Sequence, residues 1–184
     1  MVTRLFVTSG LVLGVAAVAF GQAGGQAADT PFQVLPITTL KSKDAVSVSN
    51  SGASSTVASP QNGTLCANVY GLSAETGQLI DCCSCRVAPN ALVSIPIIDD
   101  LLGHPKPKPK AVVVKVLATL PSGPACDTGG VGNGSNVLAT GVLARKGDTP
   151  FTPATLSAAE LTSLNTQCAA LHPGGNGCFA CPIQ

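Results

Sequence analysis

The stretch Thr64-Leu-Cys-Ala-Asn-Val-Tyr-Gly-Leu72, then Ala74-Glu-Thr-Gly77, then Gln78 to Val87 with its Asp81-Cys-Cys-Ser-Cys85 run, decides the fold class. Two segments rich in β-branched, aromatic and cysteine residues flank a short polar turn that ends in glycine. That is the pattern of a β-hairpin. Asn62-Gly63 places a turn before the first strand, and Pro89-Asn90 ends the second. Working outward, Ala91 to Ile98 reads as a third strand, Ala111 to Leu120 as a β-branched strand and Asn136 to Arg145 as another. Ser122 to Ser135 between the last two is a long glycine-rich loop that holds Cys126. His104 to Lys110 alternates proline and lysine, the composition of an extended polyproline connector.

Upstream, residues 32–40 have strand composition interrupted by Pro36, which predicts an edge position. Ala45-Val-Ser-Val-Ser49 alternates apolar and polar residues, as a half-buried strand does. Residues 49–60 are linker-like, and residues 22–30 are rich in Gly, Ala and Gln. Downstream the period changes. Ser157-Ala-Ala-Glu160 is a capping-box signature. Leu161, Leu164, Cys168 and Leu171 then share one helical face, and Pro173-Gly174-Gly175 stops the helix. The expected fold is mainly β: an antiparallel β-sandwich with one C-terminal α-helix, stapled by disulfides.

The eight cysteines are Cys66, Cys82, Cys83, Cys85, Cys126, Cys168, Cys178 and Cys181. An even number in an exported chain reads as a disulfide framework, for which about a hundred pairings are open. One group sits near residue 83 and another at the C-terminus. Bridges between the groups would tie the tail to the sheet. The rival reading is a metal or redox site. Cys82 to Cys85 and Cys178 to Cys181 each contain a C-x-x-C pair, the spacing of a zinc or iron–sulfur knuckle. A c-type haem is excluded, because Arg86 and Pro182 stand where its histidine would be. Cys178 lies in a glycine-rich tail rather than at a helix start, which disfavours a thioredoxin-like role.

The N-terminus sets the compartment. Arg4 precedes an uncharged apolar run from Leu5 to Phe20, followed by small residues: a secretory signal peptide, with cleavage expected after Gly21. The run is shorter than the roughly 20 apolar residues of a spanning helix, and no later segment reads as an integral membrane span. The expected organisation is therefore 1–21 signal peptide, 22–60 an extended N-terminal segment and 61–184 the β-rich cysteine-containing domain. Without Arg4 the processed chain has nine Lys/Arg against nine Asp/Glu. It lacks the basic excess that nucleic-acid binding requires. With five Phe, one Tyr and no Trp, it also lacks stacking platforms for single-stranded nucleic acid or sugars. The core must be aliphatic.

Catalytic motifs are missing. His104 precedes the connector, and His172 ends the helix, where a cation suits the dipole. Asp99-Asp100 would point to opposite faces of a strand, so a turn role fits better. Gly129 to Gly134 has no following lysine, which disfavours a phosphate cradle. Asn62-Gly-Thr64 and Asn133-Gly-Ser135 match glycosylation sequons.

Leu65-Cys-Ala-Asn-Val-Tyr70, Asp81-Cys-Cys-Ser-Cys85, Val87-Ala-Pro-Asn90, Glu160-Leu-Thr-Ser-Leu164 and the Cys178-Phe-Ala-Cys181 tail resemble a group of uncharacterised exported cysteine-rich bacterial proteins. The resemblance covers roughly residues 64–181. It implies an exported cysteine-rich domain and assigns no catalytic residue. The expected role is a secreted, non-enzymatic structural or interaction protein without cofactor. Two fates are open for residues 22–60: addition as a strand to a neighbouring copy, or pairing within their own domain. The alternative class is an exported redox or metal-binding protein that uses its C-x-x-C pairs.

Overall fold

A computed structural model of the chain describes residues 30–52, 63–103, 107–121, 126, 141–173 and 181. The strands are β1 (Thr30–Ile37), β2 (Ala45–Asn50), β3 (Leu65–Ser73), β4 (Leu79–Val87), β5 (Leu92–Pro96), β6 (Val112–Thr119), β7 (Val142–Lys146), β8 (Thr149–Pro150) and β9 (Thr152–Leu156). One turn of π-helix, Ile97–Leu101, follows β5, and the helix α1 spans Ala158–Leu171. All pairings are antiparallel. The larger sheet runs β4-β3-β6-β1-β9 and the smaller β5-β2-β7-β8.

The predicted hairpin forms as β3 and β4. Gly77 supplies the positive φ of 70° that its turn requires. β3 is buried on both faces, which explains its near-continuous apolar reading. Leu65, Ala67 and Val69 face the smaller sheet, together with Cys83, Cys85 and Val87 of β4 and Val112, Val114 and Val116 of β6. Val46, Val48, Val93 and Ile95 meet them from the opposite sheet. This is the sandwich core, and it is built almost entirely from aliphatic side chains. At Gly71 the β3–β4 register shifts. A Cβ there would lie 2.5 Å from Leu102 Cδ2, so any larger residue would push this leucine aside.

The outer face of the larger sheet carries a second cluster: Phe32, Tyr70, Leu72, Cys82, Leu117 and Leu156, covered by Leu161, Leu164 and Cys168 of α1. The helix begins as expected, with Ser157 Oγ accepting from the Glu160 amide at 3.2 Å. Glu160 does not complete the box by reaching back. Its carboxylate pairs instead with Lys115 of β6, whose ammonium also lies 5.3 Å from the centroid of the Phe32 ring.

Four expectations need correction. Pro36 does not mark an edge strand, because β1 lies between β6 and β9. The two neighbours are staggered, however. β9 pairs with residues 30–34 and β6 with residues 33–37. Pro31 and Pro36 each fall where β1 has a neighbour on one side only, a place that tolerates a missing N–H. The third strand stops at Pro96, and Ile97 onward winds into the π turn, which also takes Asp99 and Asp100. Leu171 lies outside the buried helical stripe and is 47% exposed. The sequence reading also passed over β8 and β9.

β1 and β2, the strands among the described residues of the 22–60 segment, pair with strands of their own chain, one inside each sheet. The signal-peptide reading, the glycine-rich run 129–134, His104 and Cys178 fall outside the described residues.

Candidate functional site

The cysteines define the most heavily constructed region of the molecule. Cys66 of β3 is bonded to Cys126, with Cα atoms 5.6 Å apart and 60 residues between them in sequence. Cys82 of β4 is bonded to Cys168 of α1, 5.9 Å and 86 residues apart. Cys85 is bonded to Cys181, 5.4 Å and 96 residues apart. Cys83 is disulfide-bonded as well, and no cysteine among the described residues is free. The expected ties from the residue-83 group to the C-terminal region are present.

Alternation along β4 decides what these sulfurs can do. Cys83 and Cys85 face the inter-sheet core, whereas Cys82 faces the helix. The Cys82-x-x-Cys85 pair is thus divided between two faces and two bridges. In this arrangement its two sulfurs neither bridge one another nor converge on one ion. A knuckle requires a tight turn at that spacing, and here the spacing runs along a straight strand.

Between the two outer-face bridges lies a buried polar trio. Ser84 Oγ donates to Asn68 Oδ1 at 2.9 Å, and Asn68 Nδ2 donates to Thr119 Oγ1 at 3.0 Å. Closer to the helix, the hydroxyl of the fully buried Tyr70 donates to Asn165 Oδ1 at 3.1 Å. Burial pushes the Tyr70 phenol well above its ordinary value, since the phenolate would lose its hydration. Asn165 Nδ2 is buried without an acceptor.

At the rim, the end of α1 returns to β4. His172 Nε2 lies 2.5 Å from Asp81 Oδ1, and that oxygen also accepts from the Cys82 amide at 2.8 Å. The ligand-type atoms of Asp81, Cys82 and His172 all lie within 4.8 Å of one another. His172 was expected as a surface cation serving the helix dipole. It is instead half-buried against a carboxylate 91 residues away. Two signals pointed to this junction: Asp81 directly precedes Cys82, and Cys168 and His172 stand at i, i+4 on one helical face.

Away from the cysteines, Leu35, Pro36, Ile37, Thr38, Lys41 and Lys146 line an open groove of about 280 Å³. Lys146 is engaged there by Asp44 at 3.2 Å, and the groove assembles no nucleophile with a base. Among the described residues no helix is long and apolar enough to cross a membrane.

The fold and bridges define a disulfide-stapled, mainly antiparallel β-sandwich with one covering helix. No protein-family model, curated protein or solved structure matches the chain.

Proposed function

We propose that this is an exported, non-enzymatic structural or interaction protein that works at the cell surface or outside the cell. One observation carries the reading: the bridges fasten segments from distant parts of the chain onto the β3–β4 hairpin, with no free thiol among the described residues. Such bridges persist in oxidising compartments. They restrict the unfolded chain by about 2–4 kcal/mol each. Low charge and an aliphatic core fit a durable scaffold. Thiol titration and metal analysis on the processed protein test this directly. Zero thiols and no bound metal support the scaffold; reduced thiols or stoichiometric metal in the native protein contradict it.

Self-association through residues 22–60 takes a specific form in this fold. β1 and β2 of one copy would occupy in a second copy the places they hold in their own sheets. Light scattering on the full processed chain tests this. Multimers that exchange labelled subunits only after unfolding support it. A monomer at every concentration ends the strand-exchange form and leaves the single-chain scaffold.

A further inference from the structure

We propose that the junction of β4 and α1 is a latent site for a zinc-class divalent cation, closed by the Cys82–Cys168 bridge and made available when that bridge opens. The donor set is Cys82 Sγ, Cys168 Sγ, a ring nitrogen of His172 and a carboxylate oxygen of Asp81. Three of these side chains already bring ligand atoms within 4.8 Å of one another, and the fourth, Cys168, is covalently joined to Cys82. Two sulfurs, an imidazole and a carboxylate form a four-donor set suited to tetrahedral zinc. Their spacing is also that of a built site. Cys168 lies in the last turn of α1 and His172 caps it four residues later, and Asp81 and Cys82 are adjacent on an edge strand of the sheet it covers.

Four further features favour a cation here. The last turn of α1 has no basic residue, so the partial negative charge of its terminal carbonyls adds to that of Asp81. Gly103, at φ +57°, leaves space for the carboxylate, since a Cβ there would lie 2.7 Å from Asp81 Oδ2. Asn165, one turn before Cys168, holds a buried amide donor without an acceptor, and a thiolate is an acceptor for such a group. Asp81 and His172 keep 19% and 20% side-chain exposure, which gives the cation an approach while the sulfurs stay buried.

The opening step is a two-electron exchange with a dithiol reductant. The reductant delivers two electrons and two protons, and the Cys82–Cys168 bond breaks to two thiols. The reductant closes to its own disulfide. Cation binding then releases the thiol protons to solvent, and the sulfurs separate to ligand spacing. This site stands apart from the scaffold reading, which survives its failure.

The test uses Co2+ as a spectroscopic probe on the full processed chain. Cys168→Ser leaves Cys82 as a thiol beside Asp81 and His172. This variant is expected to bind a single Co2+ with thiolate-to-cobalt charge-transfer absorption, and His172→Ala added to it should weaken binding by about tenfold or more. Oxidised wild-type protein should bind none at this site. No charge-transfer band, or equal affinity with His172→Ala, overturns the proposal. A second measurement needs no unpaired variant. Wild-type protein is reduced with a dithiol and reoxidised in air with and without Zn2+, and the remaining thiols are mapped by alkylation. Zn2+ should retard closure of Cys82–Cys168, and His172→Ala should remove the delay. Identical closure in both conditions overturns the proposal.

Discussion

The larger sheet holds one end of every bridge described, whereas none of the four strands of the smaller sheet contains a cysteine. The two halves of the sandwich solve the same problem differently. The larger sheet has two faces to cover, and the helix on its outer face, the loop residue Cys126 and the tail residue Cys181 bonded to its strands are all drawn from far along the chain. Bringing distant segments together has an entropic cost, and a bridge removes part of that freedom from the unfolded state. The smaller sheet covers the core with one face only. Its other face, with Leu92 and Leu143 exposed, is left bare by the described residues. Hydrogen-bonded side chains hold it in place. Asn50 at the end of β2 donates to Gly63 O at 2.8 Å and Val87 O at 2.9 Å, and accepts from the Gly52 amide at 2.9 Å. Gln33 of β1 reaches across to β7, donating to Val142 O and accepting from the Ala144 amide.

The largest effect that sharpens this contrast is loss of the helix bridge. Replacing both Cys82 and Cys168 with Ala should cost about 2–5 kcal/mol in denaturant unfolding. Hydrogen exchange should show α1 opening while β2 and β5 stay protected. Equal loss of protection in both sheets would break the contrast. Next is Asn50→Ala, which leaves the Gly63 and Val87 carbonyls without this donor and the Gly52 amide without this acceptor. It should destabilise by about 2–3 kcal/mol, with the smaller sheet losing protection first.

Gln33→Ala should cost about 1–2 kcal/mol, again read by unfolding. Tyr70 gives a test in pH. Its phenol is raised in the folded state, so its contribution is whole below the ordinary tyrosine range and is lost as pH rises beyond it. As Tyr70 is the only tyrosine, phenolate absorbance should appear only together with unfolding. A titration complete in the folded protein would contradict the burial. Smallest is the rim pair Lys115–Glu160. Exposed pairs are worth less than about 1 kcal/mol, so Glu160→Gln should barely move the unfolding midpoint.

Local pattern made part of this architecture legible. The β3–β4 hairpin, β6 and α1 each carry a period, a turn residue or a cap that acts over a few residues. What escaped depends on partners far away in sequence. Pro36 looked like an edge marker because its neighbours' stagger is a tertiary fact. Ile97 and Ile98 read as the end of the third strand, yet they wind into the π turn, which brings Leu102 against Gly71 of β3. β9 is hidden by Pro153, which the outer edge of the sheet tolerates. Cys82 and Cys85 looked like a C-x-x-C pair until the strand placed them on opposite faces. His172 looked like a dipole cation because its partner Asp81 lies 91 residues away in sequence.

Peptide mapping of the processed protein under non-reducing conditions tests the central claim most directly. Digestion should yield Cys66–Cys126, Cys82–Cys168 and Cys85–Cys181 as linked peptides, with Cys83 also linked. A Cys82–Cys85 bridge, or alkylatable thiols at these positions in the native protein, would contradict it.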